Sequence, residues 1–347
     1  MSPGPMVLGV ETSCDDTSAA VVDGGLRVHS SIVGSQDRVH RVHGGVVPEL
    51  ASRRHSEDIL PVIDAALREA EVDLGDIDLV AVTRGPGLVG SLLVGFMAAK
   101  GLAWGLDIPL VGVNHMAAHL WAAALDSGSP ELPSPAVCLV VSGGHTDLLH
   151  LDDGVARHLG GTRDDAVGEA YDKVARILDL GYPGGPIIDE LASSYRGPRI
   201  DLPRPMMESG DLDFSFSGLK TAVSVAMRDA DSSHAVNVPE MFAASFQDAA
   251  VDVLVAKTVR ALYMTGSKHL IAAGGVAANS LLRSRLGEAA TRLGVGLNIP
   301  PVKYCTDNAA MVAAAGYRRF ADAGADAVDI DVDPSLGFRS DGGDLVL

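Results

Sequence analysis

A short apolar run at residues 6–10 gives way to a polar turn at 11–17 and resumes at 19–22, the pattern of a hairpin with a polar tip. The pattern recurs at residues 136–141, where a β-rich apolar run meets Ser142-Gly143-Gly144-His145-Thr146 and a second apolar stretch follows at 148–151. Two hairpins of one design predict two related halves. After each, apolar strands alternate with helical stretches, as at residues 79–82 before Gly85-Pro86-Gly87 and 110–113 before Asn114. The expected class is α/β in two lobes, residues 1–128 and 129–347, divided within residues 126–135, which are rich in Ser, Pro and Gly. Residues 195–217, dense in Pro, Arg and Gly, are expected to be irregular surface structure. The acidic, Gly-rich tail beyond Ala321 is expected to be solvated or loosely docked.

The length of 347 residues agrees with two domains, and 47% hydrophobic residues suffice for two cores. An apolar run of 18 residues free of charges and turn signals does not occur, so no membrane partner is expected. Residues 1–5 lack the basic and apolar regions of a signal peptide, and three scattered cysteines suit a reducing cytoplasm. A net charge of −18 opposes general affinity for a phosphate backbone, so any RNA contact must be local. Residues 38–55 offer one basic stretch, with Arg38, Arg41, Arg53, Arg54, His40, His43 and His55 against the single carboxylate of Glu49. Such a stretch reads either as a docking surface or as a solvated face.

Small residues at both hairpin tips let backbone N–H groups point into a shared concavity, a means of holding phosphate; each tip alone is also an ordinary turn. Residues 270–273 lead through Gly274-Gly275 to Asn279 and a helix, where Asn279 either meets a nucleoside or caps the helix. The loop Tyr182-Pro183-Gly184-Gly185-Pro186 lets a ligand approach backbone, and Asp189, one turn on, can accept from ribose hydroxyls. His115 and His119 stand at i and i+4 on a predicted helix over residues 114–125, so both imidazoles can face one metal ion. Asp307 is the candidate third ligand, or else a cap for the helix predicted over residues 309–320. A zinc protease would need glutamate directly after the first histidine; Met116 stands there, which argues against peptide hydrolysis.

With these residues in view the chain resembles the TsaD family, the tRNA threonylcarbamoyladenosine synthase component once called O-sialoglycoprotein endopeptidase. The resemblance rests on Gly9-Val10-Glu11-Thr12-Ser13-Cys14-Asp15-Asp16-Thr17, Gly44-Gly45-Val46-Val47-Pro48-Glu49, Gly85-Pro86-Gly87-Leu88-Val89-Gly90, Asp164-Asp165-Ala166-Val167-Gly168-Glu169, Asp213-Phe214-Ser215-Phe216-Ser217-Gly218 and Cys305-Thr306-Asp307-Asn308. It implies a duplicated actin/Hsp70-like (ASKHA) fold, two lobes around a nucleotide cleft. It further implies one divalent metal, Fe2+ favoured and Zn2+ the alternative, held by His115, His119 and Asp307. Val140, Val141, Ser142, Gly143 and Gly144 match the family's loop near the acyl phosphate, and Asp172, Gly185, Asp189 and Asn279 match its nucleoside contacts. The Met-Ala-Ala between the histidines is a variable stretch in the family, while the tail is more acidic than the family pattern.

The implied reaction moves the threonylcarbamoyl group of threonylcarbamoyl-AMP to the exocyclic amine of the adenosine beside the anticodon, in tRNAs reading codons that begin with A. The donor carries a good leaving group, so alignment and charge stabilisation suffice. Asp15 is the candidate for positioning or deprotonating the amine, with holding the hairpin tip as its other role. The implied partners are tRNA and TsaB-like and TsaE-like proteins. A kinase or ATPase on the same fold and a non-catalytic assembly subunit are the alternatives, and neither needs a His-His-Asp metal set.

Overall fold

In the computed structural model the described residues are 4–127, 129, 131–232, 239–336 and 345–347; the expected boundary residue Gly128, the extreme N-terminus and part of the acidic tail lie outside them. The chain divides into two compact units, Met1–Pro133 with Lys303–Leu347, and Ser134–Val302.

Unit 1 opens with β1 (Met6–Glu11), β2 (Thr17–Asp23), β3 (Arg27–Gly34), α1 (Asp37–Arg41), α2 (Pro48–Glu69), β4 (Leu79–Gly85), α3 (Val89–Leu106), β5 (Leu110–Asn114) and α4 (His115–Trp121). Unit 2 follows with β6 (Ala136–Val141), β7 (Thr146–Asp152), β8 (Val155–Gly161), α5 (Val167–Ile177), α6 (Gly184–Ser194), α7 (Ser217–Ser232), α8 (Pro239–Thr265), β9 (His269–Ala273), α9 (Ser280–Leu293) and β10 (Gly296–Asn298). The chain then adds α10 (Ala309–Ala323) to unit 1.

Unit 1 has the strand order β3-β2-β1-β4-β5, and the strands of unit 2 run β8-β7-β6-β9-β10. In both, the first three strands pair antiparallel and the last two parallel. One topology appears twice, as two matching hairpins require. The central strands β1 and β6 are apolar almost throughout because both faces of each sheet are covered. In unit 1, Leu8, Val10, Val80 and Val82 meet Ile59, Ile63, Phe96 and Ala99 on one side. Val7, Ala81, Val111 and Val113 meet Trp121, Met311 and Ala314 on the other. The alternation follows from the two-residue period of a strand.

Two expectations are corrected here. The second lobe does not extend to the C-terminus, because α10 belongs to unit 1. Its alanine-rich face lies close on β1, where a side chain at Gly9 would collide with the Ala309 carbonyl. Nor are residues 326–336 of the tail loosely docked, although Val328 and several neighbours are exposed as in a solvated segment. Strand β5 is a sheet edge with unpaired backbone groups, and residues 326–336 run along it as a strap. The Asp326 N–H donates to the Leu110 carbonyl at 3.0 Å, the Gly112 N–H to Asp326 Oδ2 at 2.7 Å, and Asn114 Nδ2 to the Leu336 carbonyl at 2.9 Å. Ile330 and Val332 pack against the unit 1 core.

Residues 195–217 are largely irregular, as expected, but anchored. The fully buried Lys257 of α8 donates to Ser209 Oγ at 2.9 Å and to the Asp211 carbonyl and carboxylate, both at 3.1 Å. Among the described residues one helix, α3, is long and apolar enough to cross a membrane by length and composition. It buries Leu92, Gly95, Phe96, Ala99 and Ala103 in unit 1, and exposes Val89, Leu93, Met97 and Trp104.

Candidate metal centre and nucleoside site

Helix α4 starts directly at the end of β5, and Asn114 caps it: its Oδ1 accepts from the N–H groups of Met116 at 2.8 Å and Ala117 at 3.2 Å. That cap fixes the first turn, so His115 and His119 present their rings 4.6 Å apart, centroid to centroid. Asp307 comes from the segment before α10. The neighbouring Asn308 takes the capping role, with Oδ1 accepting from the Met311 N–H at 3.0 Å. Of the two readings of Asp307, the cap therefore falls to its neighbour. Asp307 Oδ1 lies 3.3 Å from His119 Nε2 and 3.6 Å from His115 Nε2.

The ligand atoms of His115, His119 and Asp307 all lie within 4.8 Å of one another. Both ring nitrogens of His119 are buried without an aligned hydrogen bond, although Asp307 is near. Buried imidazole nitrogens normally have partners, so this pair fits a cation that the donor set would hold. Burial disfavours the charged form of His115, but the Glu11 and Asp307 carboxylates override it and raise its pKa to about 9. Met116 is fully buried, so the position where a zinc protease carries its base points into the protein.

The β1–β2 tip, residues 12–16, lies in the same unit. His55 on α2 anchors it, with Nδ1 2.8 Å from Thr17 Oγ1 and Nε2 3.1 Å from the Cys14 carbonyl. The tip is acidic rather than phosphate-like. Burial pushes the Asp15 carboxyl up, and burial with Asp15 and Asp307 nearby pushes Asp16 to about 7.

In unit 2 the β6–β7 tip has the opposite character. Ser142 Oγ accepts from the N–H groups of Gly144 and His145 at 3.4 and 3.2 Å, while added side chains at Gly143 and Gly144 would meet nothing within 4 Å. Gly274 has φ +92°, and a side chain there would collide with the Val141 carbonyl, so glycine is needed where β9 passes this tip. Asp172 Oδ1 accepts from the Gly184 N–H at 2.7 Å, and Gly185 stands open on the first turn of α6. Asp189 accepts from Gln247 Nε2 at 3.1 Å and from the Ser280 N–H and Oγ at 3.0 and 2.7 Å. Asn279 caps α9 through the Leu282 N–H at 3.0 Å, and its Nδ2 donates to Gln247 Oε1 at 2.8 Å. A cavity of about 300 Å³ opens beside this group, with Gln247 and Ser280 in its lining.

The sequence reading missed Glu11 as an individual residue, and Gln247 altogether. Glu11 is fully buried and hydrogen-bonded to His115, and Gln247 joins Asp189 to Asn279. Glu11 had one available signal, a carboxylate closing an otherwise apolar strand, whereas Gln247 sits in a helix that also carries Asp248, Asp252 and Lys257 and had none. The basic stretch is thinner than its composition suggests. His40 and His55 turn inward, and Arg54 pairs with Asp58 at 2.7 Å and Glu57 at 3.0 Å. Arg38, Arg41, Arg53 and His43 are exposed.

Two sheets of one topology give the chain an actin/Hsp70-like fold. Component A of the Acidaminococcus fermentans (R)-2-hydroxyglutaryl-CoA dehydratase shares the fold at TM-score 0.54 and 14% identity, over 92% of this chain and all of that one. HypF of T. kodakarensis does so at TM-score 0.58 and 14% identity, over 92% of this chain and 47% of its own. Residues 27–314 match the model of the TsaD family, tRNA N6-adenosine threonylcarbamoyltransferase. Relatives of that name from Desulfitobacterium hafniense and Symbiobacterium thermophilum are each 52% identical, covering 91% and 96% of this chain and 92% and 97% of their own. The chain belongs to the TsaD family of tRNA N6-adenosine threonylcarbamoyltransferases, and with it to the tRNA-modifying acyltransferases.

Proposed function

We propose that the chain transfers the threonylcarbamoyl group of threonylcarbamoyl-AMP to N6 of the adenosine beside the anticodon, in tRNAs reading codons that begin with A. The observation that carries the reading is the convergence of His115, His119 and Asp307, in a chain matching this family over residues 27–314. The ion we assign is Fe2+, with Zn2+ the alternative; held by His115, His119 and Asp307, it would supply positive charge to polarise a substrate oxygen. The tip Ser142, Gly143 and Gly144, which ends the strand carrying Val140 and Val141, receives the donor phosphate. Asp172, Gly185, Asp189 and Asn279 take its ribose and purine, a role supported by their match to the family's nucleoside contacts.

The N6 lone pair attacks the carbamoyl carbon, the carbon–oxygen bond to phosphate breaks, and AMP leaves with that electron pair. Asp15 orients the amine and accepts its proton late, a role helped by the raised pKa that burial gives its carboxyl. The tRNA docks on Arg38, Arg41, Arg53 and Arg54. The apolar stripe of Val89, Leu93, Met97 and Trp104 supports a protein partner, which we take to be TsaB-like, with a TsaE-like protein completing the set. The setting is the cytoplasm, where the thiols of Cys14, Cys138 and Cys305 stay reduced.

The test is reconstitution with threonine, bicarbonate, ATP, tRNA, an adenylate-forming enzyme and both partners, followed by nucleoside analysis. Threonylcarbamoyladenosine should form only with this chain present and should fall to background with Asp307→Ala. Undiminished product without the chain would overturn the assignment.

A further inference from the structure

We propose that Glu11 is the positioning residue of the metal centre, setting which ring nitrogen His115 presents to the ion. The inference rests on His115, His119 and Asp307 being the ligands. Glu11 closes β1 and is fully buried, with hydrogen-bond donors on both oxygens. The Ser13 N–H donates to Oε1 at 2.5 Å, the Thr83 hydroxyl to Oε2 at 2.6 Å, and His115 Nδ1 stands 3.0 Å from Oε2. An ionised carboxylate only accepts, so Nδ1 must carry the proton. The lone pair of the neutral ring then belongs to Nε2, the nitrogen that faces Asp307.

The carboxylate is itself held in place. Thr83 stands on β4, the parallel neighbour of β1, and Ser13 follows in the tip, so the two donors clamp Glu11 from different elements. The hairpin does not demand this residue, because in unit 2 the matching strand β6 ends at Val141 and forms the same hairpin with β7. The two imidazoles are therefore unequal. His115 is fixed by a buried acceptor, whereas His119 Nδ1 has no hydrogen-bond partner, so the order of the centre depends on Glu11.

The test uses the full chain, stripped by a chelator and titrated with Co2+, with affinity and the cobalt absorption spectrum read for the parent, Glu11→Ala, Glu11→Gln, Thr83→Val and His119→Ala. Melting curves of the metal-free proteins establish that each variant is folded. Glu11→Ala should weaken binding about 10–100-fold and alter the spectrum, the range for removing an outer partner of a ligating histidine. Glu11→Gln should recover part of that loss and keep the parent spectrum, since its amide oxygen still accepts from Nδ1. Thr83→Val should show the smallest loss, and if Glu11→Ala does not fold, the Gln and Val variants decide. Folded Glu11 variants that bind like the parent, while His119→Ala does not, would overturn the positioning role alone. A parent and His119→Ala that behave alike would remove the ligand assignment, and this proposal with it.

Discussion

The two hairpin tips share one backbone design and hold opposite chemistry. In unit 1 the central strand ends on Glu11 and its tip carries Asp15 and Asp16; in unit 2 the matching strand ends on Val141 and its tip is Ser142-Gly143-Gly144. An acidic, partly buried turn beside two imidazoles and a carboxylate suits a cation. A turn of small residues with open space at both glycines suits an anion. A duplicated scaffold thus fixes where a turn lies, and side-chain charge fixes what the turn can hold.

The sharpest way to break this contrast is to remove a ligand from the first site. Asp307→Ala should take bound metal from about one equivalent to background, read by elemental analysis. The cap of α10 belongs to Asn308, so the metal-free variant should keep that helix start and lose less stability than a variant lacking the cap. Asn308→Ala should do the reverse to the fold. It should lower metal-free stability by about 1–2 kcal/mol through loss of the cap, measured by denaturant unfolding. If Asp307→Ala kept its metal, the division of labour between these neighbours would be wrong.

A smaller effect sharpens the other half of the comparison. Gly144→Ala adds a methyl group where nothing lies within 4 Å, so folding should be unaffected. The KM for the adenylate should rise roughly tenfold, the size of one displaced hydrogen bond to a charged group of about 1.5 kcal/mol. Equal kinetics would mean that phosphate does not sit on this tip. Smaller again is the effect expected at the basic stretch. Replacing Arg38 and Arg41 by Gln should raise the KM for tRNA and flatten its salt dependence by about one unit of slope for each arginine, with metal content intact. Unchanged tRNA kinetics would put docking elsewhere, although Arg199 and Arg204 are poor substitutes, being paired with Asp248 and Asp252 at 2.8 and 2.9 Å.

How far the sequence disclosed these sites depended on the range of the interaction. The hairpins, the i, i+4 histidines and the Asn279 turn are local patterns, and each lies where its spacing put it. The return of α10 to unit 1 is not local. It is decided by close packing of small residues on β1, which no periodicity in α10 announces. The strap at residues 326–336 escaped for a related reason: its composition is that of a solvated tail, while its backbone groups answer an open sheet edge more than two hundred residues earlier in the chain. Glu11 was visible only as one letter of a motif. Its value lies in the donors that β4, α4 and the tip direct at it, which only the assembled unit contains.

The mildest test of the acidic tip is its response to pH. Burial, reinforced by Asp15 and Asp307, holds the Asp16 pKa at about 7 in the folded chain, against about 3.9 in an unfolded one. The folded state therefore binds more protons than the unfolded state between those values, so this group makes stability fall as pH rises through the window. Its contribution is level above about pH 7. His115 acts over a different range in the metal-free chain. Its folded pKa of about 9 lies above the unfolded value, so its stabilisation is complete in acid and is lost as pH rises through about 9. Comparing the metal-free parent with Asp16→Asn separates the two, because both proteins keep His115. The melting-temperature advantage of the variant should be absent in acid, grow from about pH 4 to about pH 7 and stay constant beyond. An advantage independent of pH would show that Asp16 ionises normally, and that the tip is more hydrated than its burial implies.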